Sequence, residues 1–361
     1  MEEKIAKLLE QITDYRADDN LMSTAIIEQW INQFKEEDRD FVLSETTHLM
    51  KQRYLSLDNA KELLRKRIEF LATEYKFESP NAFLNEVRVI DNQPEGKSQK
   101  VLLNLLYEIC NNHFEFDLST HFNLKAKYYI YLDDVLCTGD TLFKGLAIND
   151  ENNKGFFHKT HIDGRTNLEI FLENDAKLLL GFFCLHKKNI YKVIKRMEHG
   201  LKKEIPIDYS WNKGLEIDNT LNHDCKFNYF ILSESNKSEE VQKCEDQIKN
   251  KLKTSSYYNE EDFYYRPNDV PDEENLYSSK ENRERYERII AEICIKIYND
   301  SDSMLNNIRP RPLGYGLKLE NSLGFGTLFF TWRNAPYNTP LIYWYGHHGW
   351  HPLFKRNYIE Y

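Results

Sequence analysis

The segment YYIYLDDVLCTGDTLFKGL, residues 128–146, decides how the rest of the chain is interpreted. It opens with a run of apolar and aromatic residues, which predicts a buried strand, and continues directly into Asp133 and Asp134. A Thr-Gly-Asp-Thr sequence, residues 138–141, then leads into a helix-like stretch. Ligands of parallel sheets bind beyond the carboxyl ends of the strands, so this segment predicts a ligand site at such an edge.

The turn after the two aspartates has the composition of an anion site. Near Cys137, Thr138, Gly139, Asp140 and Thr141, backbone N–H groups would converge at the start of a helix, where they favour a phosphate. The glycine allows close approach of the backbone, and the threonines add hydroxyl donors. Adjacent carboxylates repel a phosphate but suit ribose hydroxyls or Mg²⁺. We therefore interpret the stretch as a sugar-phosphate site; the alternative is that the aspartates cap a strand-to-helix turn.

The thirteen residues 129–141 resemble the phosphoribosyl-diphosphate (PRPP) motif of type I phosphoribosyltransferases. They comprise four apolar or aromatic residues, two acids, an apolar stretch and Thr-Gly-x-Thr. The resemblance implies that Asp133 and Asp134 contact the ribose hydroxyls with Mg²⁺ nearby, and that residues 137–141 hold the 5′-phosphate. Some members carry a catalytic Asp where this chain has Cys137, and others do without it. The candidate catalytic residues are these two aspartates and this cysteine, and the aspartates are also the candidate metal ligands.

A phosphoribosyltransferase also needs a loop for the diphosphate, and residues 88–106 fit that position. Gly96, Lys97 and Ser98 offer a flexible backbone, a cation and a hydroxyl group just before a predicted helix. The same residues resemble part of a nucleotide-binding P-loop, but that motif needs a Gly where this chain has Asp91. The remaining alternative is that the lysine is an ordinary solvated loop residue.

The pattern along the chain predicts an α/β fold. Strand-like and helical runs alternate in the middle of the chain, which favours a parallel sheet flanked by helices, as in type I phosphoribosyltransferases. Four segments are distinguished: a helical N-terminal region, 1–78; the α/β core, 79–235; a polar insertion, 236–283; and a C-terminal helix with a strand-rich, aromatic-rich extension, 284–361.

Composition limits the classes of partner and compartment. With 58 acidic and 48 basic residues the net charge is −10, which does not indicate a nucleic-acid partner. The basic segment 185–203 leaves one open, although a charged run on a helix is usually a solvated face. No stretch has the length and apolar character of a membrane span, and the N-terminus is unlike a signal peptide. We expect a cytoplasmic protein without membrane contact, with its six scattered cysteines as thiols.

The order of parts, together with the NTPLIYW stretch at 338–344, resembles the larger phosphoribosyltransferase-like proteins of bacterial conflict and antiphage defence systems. This resemblance implies an effector or accessory protein that binds PRPP or a nucleotide, and it leaves room for a partner protein from a defence operon. Whether the chain is an active transferase stays open. The alternatives are an inactive PRPP-fold sensor or interaction module, and a toxin that acts on N-glycosidic bonds of nucleotides or tRNA.

Two groups of histidines suggest a metal site by their spacing alone. His158 and His161 lie three residues apart, and His347, His348 and His351 cluster near the C-terminus. No cysteine or carboxylate completes a recognisable ligand set at either place in the sequence. We interpret them as surface or loop histidines.

Overall fold

The computed structural model describes residues 1–19, 21–94, 97–161, 163–210, 214–220, 225–253, 265–316 and 323–356. Within these ranges the helices are α1 Glu2–Ile12, α2 Thr24–Ile31, α3 Glu36–Arg53, α4 Leu57–Glu74, α5 Pro80–Asn85, α6 Ser98–Phe114, α7 Asp140–Leu146, α8 Asn167–Glu173, α9 Lys187–Leu201, α10 Glu239–Leu252, α11 Lys280–Asn299 and α12 Asp302–Leu305. The strands are β1 Tyr54–Leu55, β2 Val87–Val89, β3 Tyr128–Leu136, β4 Asn149–Asp150, β5 Asn153–Lys154, β6 Lys177–His186, β7 Ile207–Asp208, β8 Leu215–Ile217 and β9 Phe330–Thr331.

The chain packs as two compact units. The sheet unit, residues 58–217, contains a five-stranded sheet, and the helical unit combines residues 1–57 with 218–361. The segments distinguished in the sequence follow changes in composition, and the two units cut across them. Helix α4, for example, belongs to the helical N-terminal segment by composition and to the sheet unit by packing.

The sheet is parallel throughout its described strands. Strand β3 lies between β2 and β6, and β7 and β8 pair in turn with the other edge of β6. The pairing of β3 with β6 extends from Tyr128 opposite Lys177 to Leu136 opposite Leu185. The predicted α/β fold with a parallel sheet flanked by helices is confirmed.

Both faces of the sheet are covered, which explains why β6 reads as an almost unbroken apolar run. On one face, rings such as Tyr129 of β3 and Phe182 of β6 belong to a buried cluster with residues of α7, α8 and α9. On β6 the guanidinium of Arg67, from α4, donates to the carbonyl of Phe182 at 3.0 Å and lies 5.1 Å over the ring of Phe183. A polar group buried this deeply needs such a partner.

The helical unit differs from the sequence-based expectation at its C-terminus. Among the described residues of the extension, β9 is the only strand, and it pairs with β1 over two residues. Prolines that lack an N–H group interrupt the extension, and Gly314, Gly324 and Gly326 have positive φ, so extended ladders do not form. The aromatic residues serve the core instead, as where Trp30 donates to the carbonyl of Ile342 at 3.1 Å.

The polar segment 236–283 also contributes to that core, because one face of α10 is buried. All six cysteines are buried, and none forms a disulfide. Among the helices in the described ranges, none is both long and apolar enough to cross a membrane.

Candidate functional site

The two aspartates lie inside the central strand rather than after it. Strand β3 continues to Leu136, and the backbone of Asp133 is in register with Phe182 of β6. Because side chains alternate along a strand, Asp133 shares a face with Tyr131, and Asp134 points the other way. Asp133 is 8% exposed, whereas Asp134 is half-buried. The neighbouring acids therefore have different surroundings at the carboxyl end of the sheet.

Four neutral donors contact the carboxylate of Asp133. Its Oδ1 accepts from the hydroxyl of Ser98 at 2.8 Å and from the backbone N–H of Asp134 at 3.0 Å. Its Oδ2 accepts from the hydroxyl of Tyr131 and the amide of Gln93, both at 3.3 Å. Burial, followed by the charge of Asp134, raises the pKa of Asp133 to about 7. Its proton affinity is therefore far above that of an ordinary aspartate.

The structure brings part of the predicted diphosphate loop to this carboxylate. Ser98 is the first residue of α6, and Lys97 precedes it in an exposed position. Gly96 lies outside the described residues. Gln99 fixes the loop: its Oε1 accepts from the backbone N–H groups of residues 92 and 93, and its amide donates to the carbonyl of Leu132 at 3.3 Å. The segment that leads into α6 thus contacts β3, which is distant from it in sequence.

The second loop, residues 137–141, turns from β3 into α7. Gly139 has a φ of 71°, and a Cβ there would lie 2.6 Å from the Cβ of Val193, so both the backbone and the packing require glycine. The hydroxyls of Thr138 and Thr141 lie in exposed positions, and the backbone N–H of Asp140 donates to Oγ1 of Thr138 at 3.3 Å. Both threonines are therefore accessible from solvent.

Two cations hold the acid in this loop. The carboxylate of Asp140 forms ion pairs with Lys144 at 2.8 Å and with Arg196 at 2.9 Å. Burial alone would raise the pKa of Asp140, but the hydrogen bonds from Lys144 and Arg196 outweigh it and lower the pKa. The carboxylate is therefore ionised and its charge is compensated, which reduces its repulsion of an anion.

Cys137 is 7% exposed, and its backbone carbonyl accepts from the amide of Asn189 at 2.7 Å. The predicted catalytic role of its thiol stays a prediction. Asp91, the residue at which the chain departs from the P-loop motif, lies before α6 and forms an ion pair with Lys100 at 2.6 Å.

A comparison with protein families gives a second, independent indication. A family model described as PRTase-CE, a phosphoribosyltransferase-type family, matches residues 27–356. The chain belongs to the PRTase-CE family. The match includes all predicted site residues. No curated protein and no solved structure matches the chain.

Several residues of this PRTase-CE site carry no signal in the sequence. The side-chain amides of Gln93, Gln99 and Asn189 donate to β3 or to the loop that follows it, and no local pattern predicts these contacts. Arg196 lies in the basic segment 185–203, but its contact with Asp140 depends on how α9 packs. Only Tyr131 could have been identified, because strand alternation places it on the face of the first aspartate.

Other features of the PRTase-CE chain lie away from the aspartates. Within the described ranges, no three His, Cys, Asp or Glu side chains come together as a metal site, and this includes both groups of histidines. A cavity of about 540 Å³ lies in the helical unit between α10 and α11, and it contains none of the predicted site residues. The candidate site is the carboxyl edge of the sheet, where Ser98, Asp133 and the loop 137–141 lie together.

Proposed function

We propose that this protein binds PRPP, or a closely related ribose-5-phosphate nucleotide, together with Mg²⁺, and transfers the phosphoribosyl group. One observation supports the proposal above the others. Ser98, the first residue of α6, donates to Asp133 at 2.8 Å, and the loop 137–141 follows the strand that carries Asp133. A ligand with a diphosphate, a ribose and a 5′-phosphate needs three such groups of residues side by side.

The residues present fit Mg²⁺. The ion binds oxygen ligands, and protein sites often supply one or two carboxylates while substrate phosphates and waters supply the rest. Asp133 and Asp134 are adjacent carboxylates, and the side-chain and backbone donors to the first are all neutral. When bound, Mg²⁺ would neutralise the charge of the aspartates and of the diphosphate. These two aspartates are the residues that would hold it.

The parts of the ligand distribute over the two loops. We assign the ribose hydroxyls to the aspartates, because a carboxylate accepts hydrogen bonds that hydroxyls donate. The 5′-phosphate is assigned to residues 137–141, where Lys144 and Arg196 compensate the one acid and the threonine hydroxyls are exposed. The diphosphate is assigned to Lys97 and its neighbours. One of these, Ser98, donates a hydrogen bond to Asp133.

In the proposed reaction, a nitrogen of the acceptor attacks the anomeric carbon of PRPP. The bond from that carbon to the diphosphate oxygen breaks, the electron pair leaves with the diphosphate, and the acceptor nitrogen releases its proton to water. The protein's tasks are to orient the two reactants and to stabilise the charge of the leaving group. Cys137 replaces the carboxylate base of some family members, so we assign no base at that position.

Calorimetric titration with PRPP and Mg²⁺ tests the proposal. We expect the wild type to bind and the double variant Asp133→Asn, Asp134→Asn to lose binding by about 100-fold or more, since it removes both acceptors and the metal ligands. A matched control neutralises another adjacent pair of exposed acids in the sheet unit, Asp150→Asn with Glu151→Gln. The control should bind as the wild type does. Absence of wild-type binding would contradict the proposal and favour an interaction module.

We also propose, from the resemblance of the whole chain, that the protein is an effector or accessory protein of bacterial antiphage defence. Its test is a phage challenge of cells that express the wild type or the Asp133→Asn, Asp134→Asn variant at equal levels. We expect fewer plaques with the wild type and no protection with the variant. Equal protection by both proteins would separate defence from the proposed PRPP site.

A further inference from the structure

Helix α9 carries a charge opposite to that of the chain. Its fifteen residues, Lys187–Leu201, include five Lys or Arg residues and one acid, Glu198, which gives a formal charge of +4 in a protein of −10. Lys202 and Lys203 follow directly. Among the described residues, Lys187, Lys202 and Lys203 form no ion pair. The basic segment noted in the sequence is therefore a concentrated cationic surface.

The two sides of α9 have different environments. Ile190, Val193, Met197 and Leu201 are buried in the core of the sheet unit. The opposite side presents Lys188, Tyr191, Lys192, Lys195 and His199, which stand at positions i, i+3, i+4, i+7 and i+11 of the helix and so lie along one stripe. We call these five residues the α9 stripe. Lys192, Lys195 and His199 are exposed and Lys188 is half-buried, and Lys195 also pairs with Glu198 of the same helix at 2.9 Å.

An aromatic ring interrupts this stripe. Tyr191 is 55% exposed, although folding normally buries large aromatic side chains. Its ring meets that of Tyr209 edge to face at 6.0 Å, which supports one edge and leaves much of the ring accessible. Basic side chains interleaved with an accessible aromatic ring are typical of surfaces that bind single-stranded nucleic acid.

The third side of α9 contacts the candidate site. Asn189 donates to the carbonyl of Cys137 at 2.7 Å, Val193 packs on Gly139, and Arg196 pairs with Asp140 at 2.9 Å. These three contacts fall at positions i, i+4 and i+7 of the helix, so they share one side. The α9 stripe thus lies within about one helix diameter, roughly 10–12 Å, of the loop 137–141.

We propose that the α9 stripe binds a single-stranded nucleic acid, with its lysines on the phosphates and Tyr191 stacked on a base. A row of cations spaced about one helical turn apart, roughly 5.4 Å, complements a polymer with regularly repeated anions. An anionic membrane fits less well, because an interfacial helix inserts its apolar side and that of α9 is buried in the sheet unit. An acidic peptide would satisfy the charge but would leave the exposed ring without a stacking partner.

The test is fluorescence anisotropy with a labelled oligothymidylate of about 15 nucleotides, titrated between about 50 and 200 mM salt, without PRPP or Mg²⁺. Failure of this test would therefore leave the proposed PRPP site unaffected. We expect wild-type affinity to fall as salt rises. The variant Lys188→Gln, Lys192→Gln, Lys195→Gln should bind about 10- to 100-fold more weakly and lower the slope of log affinity against log salt by about 2.

Tyr191→Ala should reduce the affinity about tenfold without changing the slope, since stacking releases no counterions, and Tyr191→Phe should retain the affinity. The matched control removes three exposed lysines outside α9, Lys7→Gln, Lys66→Gln and Lys243→Gln, whose side chains are 60%, 65% and 68% exposed. It should bind as the wild type does. Circular dichroism of each variant checks that the fold is unchanged.

Four results would overturn the proposal. They are absence of wild-type binding, an equal loss in the α9 and control variants, equal binding of a duplex of the same length with no effect of Tyr191→Ala, and equal binding of polyglutamate or phosphatidylserine vesicles. The second result would show a general charge effect. The third would exclude stacking, and the fourth would identify a protein or membrane partner instead.

Discussion

Two buried carboxyl groups, one in each unit, have opposite electrostatic surroundings. Glu287 of α11 is fully buried in the helical unit and accepts from Arg266 at 3.1 Å and from Arg283 at 3.2 Å. Asp133 is almost as buried in the sheet unit, but the described residues that donate to it are all neutral. The fold compensates the first charge. None of the described residues that contact the second is a cation, and under our proposal Mg²⁺ would supply one.

Burial acts on both acids in the same direction. It raises the pKa of Glu287, against the opposing effect of the two guanidiniums, and it raises the pKa of Asp133 to about 7 with the help of the Asp134 charge. The difference lies in what a loss of charge would do. Neutralising Glu287 leaves two guanidiniums with fewer acceptors, whereas neutralising Asp133 removes a charge that the protein does not balance.

The largest effect is expected from Glu287→Gln. The variant should lower the free energy of unfolding by about 3–5 kcal/mol, because it removes a buried negative charge and leaves both guanidiniums in place. Urea denaturation measured by circular dichroism gives this value. The matched control is Glu292→Gln, which breaks an exposed pair with Arg288 on the same helix and should cost less than about 0.5 kcal/mol. Equal effects of the two variants would end the distinction between the two acids.

Asp133→Asn should act in the opposite direction. An acid whose folded-state pKa is raised destabilises the fold as pH rises above its unfolded value, and the penalty is complete above about pH 7. The amide removes this penalty, so we expect the free energy of unfolding to increase by about 2 kcal/mol at pH 8 and by less at pH 5. Urea denaturation at both pH values measures it. The exposed substitution Asp150→Asn is the control and should show no such pH dependence. A loss of stability at pH 8 would contradict the comparison.

The sequence predicted the elements that depend on local patterns. The apolar run of β3, the adjacent acids and the loop 137–141 are visible because burial and turn chemistry leave periodic signals. Contacts that join distant segments left none. The hydrogen bonds from Ser98 to Asp133 and from Gln99 to β3 form when α6 packs on the sheet, and that packing is a tertiary event.

The C-terminal extension shows the opposite error. Its alternating aromatic residues predicted strands, but the described residues form almost no ladder. Rings such as Trp344 pack into the core of the helical unit, and its indole N–H donates to the carbonyl of Thr339 at 2.7 Å. A large ring gains enough from burial to hold irregular backbone in place, so alternation alone did not decide the structure.

Ser98→Ala should have the smallest effect and sharpen the comparison. The Ser98 hydroxyl lowers the pKa of Asp133, against the larger effects of burial and Asp134, so its removal should raise that pKa above about 7. We expect a loss of about 1 kcal/mol in the free energy of unfolding at pH 8 and a smaller loss at pH 5, where the carboxyl is protonated in the fold.

Carbon-13 NMR titration of the aspartate carboxyl measures the shift directly, with Ser98→Thr as the control that keeps the hydroxyl. An unchanged pKa in the alanine variant would mean that this bond does not stabilise the ionised form. The carboxylate would then depend on its other neutral donors alone. An upward shift would show that the Ser98 hydroxyl stabilises the ionised carboxylate of Asp133, where two guanidiniums do so for Glu287.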